Sequence, residues 1–327
     1  MKRLLVILTV AAGVGIAALA GSWFWLQAHV QQPGPLTAET VVVIEPGSGL
    51  GSVALQFQNA GVIESDFTFR LHARLSGYAA QLKAGEYRFE PGISPGAVLA
   101  KVVAHDVVVR FITIPEGLTS PQIADLITAA EGLSGDFSRS IKDGTLLPET
   151  YGYERGESRA ALVRRMEIAL NRTLSDLWAS RAPDLPLDSP EDALVLASVV
   201  EKETSVPYER PRVAAVFVNR LKRGMRLQSD PTVAYGVDAS GPLGRPLRRS
   251  DLDGDTPYNT YKISGLPPGP ICHPGRDSIA AVLNPELTRD LYFVADGSGG
   301  HAFAETLAAH NRNVAQWRRI QRERGER

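Results

Sequence analysis

The stretch that decides the fold runs from Ser189 to Thr204 and reads SPEDALVLASVVEKET. Its start predicts a helix, because Ser189 can cap the first turn, Pro190 suits the first helical position and two acids follow. Residues 193–200 are apolar on nearly every side, which predicts a helix that is buried all round. A buried strand is the alternative, since three of these residues are valine. A proline three residues after Thr204 predicts that the helix ends there.

Glu203 lies in the last turn of this predicted helix and continues its apolar stripe, seven residues after Leu196. Partial burial and the negative end of the helix dipole both disfavour a charged carboxylate, so both raise the pKa expected for Glu203. A carboxylic acid that stays protonated near neutral pH can protonate a glycosidic oxygen. Glu201 fits the same description, and spacing alone does not choose between the two acids. A solvated helix end is the plainer interpretation of both.

The composition limits the classes of protein to which the chain can belong. Its 327 residues suffice for one large or two ordinary domains, and 44% apolar with 22% charged residues is typical of a folded chain. A formal net charge of −1 gives no basic excess, so we expect no nucleic-acid partner. The single cysteine, Cys272, excludes an intrachain disulfide and a cysteine zinc cluster. Residues 251–255 lack the register of a calcium loop, and we predict neither a metal nor a cofactor.

The N-terminus predicts a membrane anchor. Residues 4–26 carry no charge, and at about 1.5 Å per residue such a helix crosses a hydrocarbon core of roughly 30 Å. The basic pair within residues 1–3 places that tip in the cytoplasm and the remainder of the chain outside. A cleaved signal peptide is the alternative, because residues 18–20 read Ala-Leu-Ala, although the apolar run continues beyond them. Residues 27–38 contain two prolines and predict a linker.

The rest of the chain predicts an α+β fold. Residues 40–44 and 85–89 are expected strands, and three strand–turn–helix units are expected between residues 40 and 130. The region 39–113 forms the first, smaller domain. In the region 114–327 we expect a helix over 163–177, the buried helix described above, and a core strand over 291–295.

Polar and aromatic residues after the buried helix suit a sugar-binding cleft, because ring faces and hydrogen-bonding tips occur together. The candidates for contact with a sugar are Gln228, Ser229, Asp230, Tyr258, Asn259 and Tyr261. The candidates for support of the acid are Asn219, Arg220 and His301. Each has a plainer role as well: Asp230 can cap a short helix, the tyrosines can belong to a strand, and a histidine can be structural.

Taken together, these segments resemble the endolytic murein transglycosylases, a family also described as YceG-like. The resemblance is carried, in order along the chain, by residues 196–204, 216–221, 225–233, 258–261, 265–271, 292–297, 299–303 and 310–311. One segment departs from the family pattern: Leu147 and Glu149 stand where an aromatic residue and an aspartate are usual.

The resemblance implies a single inner-membrane helix, a small LysM-like β-α module over residues 39–113 and an α+β catalytic domain over 114–327 in the periplasm. It implies cleavage of the MurNAc–GlcNAc bond within peptidoglycan glycan strands, with 1,6-anhydroMurNAc ends and no metal. It identifies Glu203, directly before Thr204, as the catalytic acid and base, with Thr204 in support. Glycan strands and the inner membrane are the implied partners, and peptidoglycan synthases are suggested.

Two other functions remain open on the sequence. One is a glycoside hydrolase that uses two carboxylates, with Asp230 as the partner of Glu203. The other is a scaffold of the cell envelope that binds glycan without cutting it.

Overall fold

A computed structural model describes residues 2–136 and 141–325, and it confirms the α+β fold. The helices are α1 (Lys2–Gln31), α2 (Leu50–Asn59), α3 (Asp66–Leu75), α4 (Pro95–Ala104), α5 (Ser120–Ala129), α6 (Arg159–Ala179), α7 (Pro190–Glu203), α8 (Arg210–Lys222), α9 (Asp230–Val237), α10 (Arg249–Leu252), α11 (Arg276–Leu283) and α12 (Leu307–Glu323), with a 3₁₀ turn at Pro207–Glu209. The strands are β1 (Thr40–Ile44), β2 (Gly85–Phe89), β3 (Val109–Thr113), β4 (Thr150–Glu154), β5 (Tyr292–Ala295) and β6 (His301–Ala304). They pair as β1–β2, β3–β4 and β5–β6.

Helix α1 is long and apolar enough to cross a membrane. The span Leu5–Gln31 has a mean hydropathy of 2.2. The helix continues five residues past the predicted end at residue 26, and Val30 is buried. The predicted linker over 27–38 is therefore wrong at its first five residues.

The residues after α1 also pack against the protein. Leu36 is buried, and the backbone N–H of Gly34 donates to the carbonyls of Gly92 and Ile93. A Cβ at residue 34 would lie 2.4 Å from the carbonyl oxygen of Ile93, so only glycine allows this approach. These contacts tie the segment to the turn before α4, and it is not a free tether.

The chain divides into two compact units. The N-terminal unit comprises Met1–Arg110 and Tyr153–Gly156, and the C-terminal unit comprises Phe111–Gly152 and Glu157–Arg327. The division falls within β3 and again within β4, close to the boundary predicted after residue 113. The LysM-like character of residues 39–113 stays a prediction.

The N-terminal unit packs its helices against the antiparallel pair β1–β2, in which Val42 lies opposite Tyr87. Phe57 is at the centre of its core and meets Phe69 and Phe89 edge to face, at centroid distances of 5.6 and 5.3 Å. The three rings are fully buried. Edge-to-face contact adds to the free energy that burial of each ring contributes.

The C-terminal unit is built around α7. Ser189 caps the helix as expected, and it forms a capping box with Asp192, since each side chain accepts from the other residue's backbone N–H. Every residue from 193 to 200 is buried, and α6, α8 and α11 pack around the helix. The buried polar residue of this run, Ser198, donates to the carbonyl of Val195 and accepts from the N–H of Ile271. The helix is confirmed and the alternative strand is excluded.

Several elements had no counterpart in the sequence analysis. Strand β4, the short helices α10 and α11, and strand β6 were not expected. Residues 258–261 form a turn and not the tyrosine-rich strand considered above.

We predict that Phe57→Ala lowers the free energy of unfolding by about 3–5 kcal/mol, because it leaves a cavity among three packed rings. Leu55→Ala is the matched control on the same helix, since Leu55 is 51% exposed. We expect the control to change stability by less than about 0.5 kcal/mol. Urea unfolding of the full chain in detergent measures both, and equal losses would contradict this description of the core.

Candidate functional site

Helix α7 ends at Glu203, close to the end near Thr204 or Ser205 that the sequence predicted, and Glu203 lies in its last turn as expected. Thr204 is extended and its hydroxyl oxygen accepts a hydrogen bond from the backbone N–H of Val206, 3.1 Å away. This bond turns the chain out of the helix directly after the acid. The buried side chain of Thr204 is thus used within the protein, and its supporting role for Glu203 stays a prediction.

The Glu203 side chain is partly buried, and within the described part of the chain its carboxyl has one close hydrogen-bond donor. The hydroxyl of Ser229 donates to Oε1 at 2.5 Å. Burial, the largest effect, raises the pKa of Glu203 to about 7. The Ser229 bond lowers this pKa, the charge of Asp230 raises it, and the charges of His301 and Arg220 lower it. The group is therefore poised between its two protonation states near neutral pH, as a general acid and base requires.

Ser229 is held by two threonines that the sequence analysis did not single out. Its backbone N–H donates to the hydroxyl of Thr260 at 2.9 Å, and the hydroxyl of Thr232 donates to its carbonyl at 2.7 Å. The two threonine hydroxyls are 2.8 Å apart. All three residues are buried. This network places the Ser229 hydroxyl against Glu203 and gives Ser229 a positioning role.

The cap predicted for Asp230 is wrong. The N-cap of α9 is Ser229, whose side chain is used by Glu203, and Asp230 is the first helical residue. The carboxylate of Asp230 accepts from the hydroxyl of Tyr261 at 2.7 Å. Burial, followed by this contact, raises the pKa of Tyr261, so the ring keeps its hydroxyl proton.

Glu201 has a different environment, although it lies only two residues before Glu203. Its side chain is 6% exposed, and Oε2 accepts from the backbone N–H of Gly275 at 3.0 Å. The guanidinium of Arg210 lies 3.6 Å from Oε1 and also pairs with Glu116. Burial, and then the charge of Glu201, raise the pKa of Glu116. Glu201 is thus one partner in a structural ion cluster, which makes Glu203 the better candidate acid.

Arg220, on α8, contacts the segment that precedes Ser229. Its guanidinium donates to the carbonyls of Leu291 and Leu227 at 2.6 and 2.8 Å, and to Oε1 of Gln228 at 3.3 Å. Gln228 is exposed, and its φ of +53° lies in the left-handed region. Arg220 therefore holds the segment that leads into Ser229.

Asn219, one residue earlier in α8, acts at a different place. Its side-chain amide donates to the carbonyls of Thr288 and Asp290 at 2.9 and 3.0 Å. These bonds fasten the chain just before β5 to α8, so Asn219 has a structural role.

Asn259 does not fit the predicted contact with sugar. It is fully buried, its amide donates to the carbonyls of Leu252 and Gly254, and its Oδ1 accepts from the backbone N–H of Tyr261. These bonds use its polar atoms to shape the loop that carries Tyr261. Tyr258 is half-buried, and its ring lies edge to face with the ring of another tyrosine.

His301 is held by a carboxylate that the sequence analysis missed. Oε2 of Glu209 lies 2.7 Å from Nδ1 of His301, and Oε1 accepts from the His301 backbone N–H at 2.9 Å. No local pattern points to this pair, because 92 positions separate the two residues.

A serine, a histidine and an aspartate also meet elsewhere in the C-terminal unit. The hydroxyl of Ser120 donates to Asp143 at 2.7 Å and lies 3.0 Å from Nε2 of His273. Since a hydroxyl has one proton, Nε2 must donate to Ser120, and Nδ1 accepts from the N–H of Leu146. A histidine that presents an N–H to serine cannot act as its base, so this cluster is structural. The buried thiol of Cys272 is structural as well, because burial raises its pKa.

Two cavities lie in the same unit. One, of about 510 Å³, is lined by Asp230, by Lys202 next to the acid, and by the apolar residues Pro231, Ala234, Pro242 and Leu243. The other, of about 740 Å³, is lined by Asp143, Tyr258 and Pro270 among others. Tyr235 lines both. Such a mixture of apolar surface and few polar groups suits a carbohydrate ligand. Among the residues that the structure describes, no group of three or more histidine, cysteine, aspartate or glutamate side chains could hold a metal ion.

The chain was compared with known proteins. A protein named endolytic murein transglycosylase from Bacillus subtilis is 30% identical over 300 residues, which cover 82% of each chain. One of the same name from Streptococcus pneumoniae is 29% identical and covers 91% of this chain, which spans only 62% of that protein. The crystal structure of the yceG-like protein lmo1499 from Listeria monocytogenes has 30% identity and a TM-score of 0.51, covering 84% of this chain and 99% of that one.

The model of the YceG-like family matches residues 42–316, which include α7, Ser229 and the β5–β6 hairpin. From this match and the relatives above, the chain belongs to the YceG-like family.

Proposed function

We propose that the chain is an endolytic lytic transglycosylase that cleaves the MurNAc–GlcNAc bond within peptidoglycan glycan strands, with Glu203 as general acid and base. The observation that carries the proposal is the carboxyl at the end of a buried helix, whose pKa burial raises to about 7. The names of the relatives supply the class of substrate.

The hydrogen bond from Ser229 fixes where the acidic proton of Glu203 lies. Because the Ser229 hydroxyl donates to Oε1, a neutral carboxyl carries its own proton on Oε2. Oε2–H then donates to the glycosidic oxygen as the bond between that oxygen and C1 of MurNAc breaks. The GlcNAc side leaves with a hydroxyl, and an oxocarbenium-like state forms at C1.

The second half of the reaction closes the ring and restores the acid. The 6-hydroxyl of the same MurNAc attacks C1, forms the 1,6-anhydro bond and gives its proton to the Glu203 carboxylate. No water is consumed, and no second carboxylate takes part. Ordinary glycosidases instead use two carboxyl groups about 5–9.5 Å apart.

We expect the glycan strand to run along the two cavities. Asp230, directly after the residue that bonds Glu203, lines the smaller one, and Tyr235 lines both. Ring faces with a few polar tips suit sugar rings. Tyr258, Tyr261 and Gln228 are the residues in which we expect contacts with the strand.

The N-terminal half supports a location at the inner membrane. Helix α1 is the membrane anchor in this proposal. From the basic residues before its apolar span we expect the tip in the cytoplasm and the chain after α1 in the periplasm. Residues 39–113 are the proposed LysM-like module. Peptidoglycan synthases are the partners that the family suggests.

Two other functions make different predictions about the product. A hydrolase that pairs Glu203 with Asp230 would leave reducing ends that are heavier by one water than anhydro ends. A scaffold would bind glycan strands and leave their length unchanged.

We predict that Glu203→Gln removes nearly all cleavage, because an amide cannot donate the acidic proton. Glu305→Gln, on an exposed residue after β6, is the matched control and should cut at the wild-type rate. Mass spectrometry of strands digested by the full chain in detergent reads out both rate and product ends. Near wild-type cleavage by Glu203→Gln would refute the assignment, and reducing ends would favour the hydrolase.

The raised pKa of Glu203 also predicts how stability depends on pH. The folded-state pKa, about 7, is above the ordinary value of 4.5. The folded state then binds the extra proton, so its stabilisation is complete below pH 4.5 and is lost as the pH rises through 7. We expect Glu203→Gln to have a higher Tm than wild type at pH 8 and a similar Tm at pH 5. Thermal unfolding at the two pH values tests this, and equal differences at both would contradict the burial of the charge.

Loss of the Ser229 hydroxyl should change the pH profile in a defined direction. The Ser229 bond lowers the pKa of Glu203, so Ser229→Ala should move the alkaline limb of the activity profile to higher pH. We also expect the maximal rate to fall by about tenfold, since a bond to a charged group contributes about 1.5 kcal/mol. Ser205→Ala, which changes an exposed hydroxyl near the acid, is the control. An alkaline limb that stays in place would show that the bond does not act on Glu203.

A further inference from the structure

We propose that Glu209 is a positioning residue that sets the orientation and the proton placement of the His301 imidazole, which in turn acts on Glu203. The inference rests on the function proposed above for Glu203. It assigns Glu209 no contact with the substrate.

Glu209 is a buried carboxylate whose hydrogen bonds go largely to one residue. It ends the 3₁₀ turn that joins α7 to α8, six residues after Glu203. Its side chain is 8% exposed, and its two oxygens engage the backbone N–H and Nδ1 of His301 at 2.9 and 2.7 Å. A buried carboxylate is costly unless it is paired and hydrogen-bonded. Both oxygens thus depend on the placement of His301 at the start of β6.

The backbone before His301 is shaped to admit the carboxylate. A Cβ at Gly300 would lie 2.6 Å from Oε1 of Glu209, so any side chain there would displace it. The His301 ring also packs edge to face against Phe293, with centroids 5.2 Å apart. Phe293 in turn packs against Phe217 of α8 in the core. The ring is therefore held by a hydrogen bond at Nδ1 and by an aromatic contact.

The contact with Glu209 determines which nitrogen of His301 carries a proton. A carboxylate only accepts, so Nδ1 must donate, and in a neutral ring Nε2 is then the nitrogen with the free lone pair. Within residues 2–136 and 141–325, Nε2 makes no hydrogen bond to the protein, and the His301 side chain is 16% exposed. Nε2 is thus the ring atom that is left available to a ligand.

The charge of His301 affects the pKa of Glu203. It lowers the pKa of Glu203, in the same direction as Arg220 and against Asp230. A positive imidazolium therefore stabilises the carboxylate that remains after Glu203 has given its proton to the leaving oxygen. The anionic groups that act on His301 are Glu209, Glu203 and Asp296, whose own pKa the histidine lowers slightly. Of these, only Glu209 touches the ring.

A purely mechanical role for Glu209 is the competing account, in which the carboxylate only ties the 3₁₀ turn to β6. Both accounts predict some loss of stability when the carboxylate is removed. They differ in what happens to the tautomer of His301 and to the pH profile.

Glu209→Gln separates the two accounts. The amide keeps an oxygen for the His301 backbone N–H, but its nitrogen donates and cannot accept from Nδ1. We expect the neutral ring to change from the Nδ1–H to the Nε2–H tautomer, which ¹⁵N spectra of the full chain labelled at histidine would show. We expect cleavage to slow about tenfold and its alkaline limb to move to higher pH. Glu209→Gln combined with His301→Gln should be no slower than His301→Gln alone. Ser298→Ala, in the exposed turn of the hairpin, is the control that should leave rate and tautomer unchanged.

Three results would overturn the inference. An Nε2–H tautomer in the wild-type chain would refute the proton placement, and it is measurable even if Glu209→Gln does not fold. A variant with a lower Tm but an unchanged pH profile and rate would leave Glu209 as a mechanical tie. Additive losses in the double variant would show that the two residues act separately. If Glu203→Gln cuts normally, the proposed function fails, and the tautomer of His301 is still decided by the spectra.

Discussion

The site depends on one partly buried carboxyl group, Glu203, which accepts a short hydrogen bond from a hydroxyl. Burial penalises the ionised form of Glu203 and raises its pKa to about 7, whereas the Ser229 bond and the charges of His301 and Arg220 lower this pKa. The proposed role as acid and base requires both influences. Without the groups that favour ionisation the pKa would be higher, and without burial it would fall towards the ordinary value of 4.5. The two threonines are necessary to this balance because they hold the Ser229 hydroxyl against Glu203. Arg220 is necessary because its positive charge lowers the pKa of Glu203.

Helix α7 separates two acids that the sequence makes look alike. Side chains two positions apart on a helix point about 200° apart, so Glu201 and Glu203 face different surroundings. Glu201 meets the Arg210 guanidinium and the N–H that precedes α11, and its charge is compensated. Glu203 meets a hydroxyl and has no cation in salt-bridge contact within the described ranges. At the end of α7, Glu201 is thus used in a structural ion pair, whereas Glu203 is left available for the proposed chemistry.

Local signals predicted what local interactions determine. The Ser189 cap and the apolar run predicted the start and the burial of α7, and the proline at position 207 predicted its end to within two residues, because these features depend on neighbouring residues. Contacts between residues that are far apart in the sequence leave no local pattern from which they could be predicted. Thr260 accepts a hydrogen bond from Ser229, 31 positions away, and Glu209 contacts His301, 92 positions away. Asp230 shows how a correct local rule can fail. A residue before proline suits an N-cap, but the N-cap of α9 is Ser229. The hydroxyl of Ser229 bonds Glu203 and makes no capping bond to the helix. Likewise, the sequence suggested that Asn259 contacts a sugar, but its side chain is fully buried and bonded to the protein's own backbone.

The surroundings of Asp230 bear on which reaction a single poised acid can perform. In a retaining or inverting hydrolase the second carboxylate must face the anomeric carbon or hold a water against it. Here Oδ1 of Asp230 is turned to the Tyr261 hydroxyl, and burial raises the pKa of that tyrosine, so the donor persists at working pH. Asp230 still contributes by its charge, which raises the pKa of Glu203. An acid assisted in this way, without a committed second carboxylate, suits a substrate that carries its own nucleophile. The 6-hydroxyl of MurNAc is such a group, and attack by it needs only one residue that first gives a proton and then takes one back.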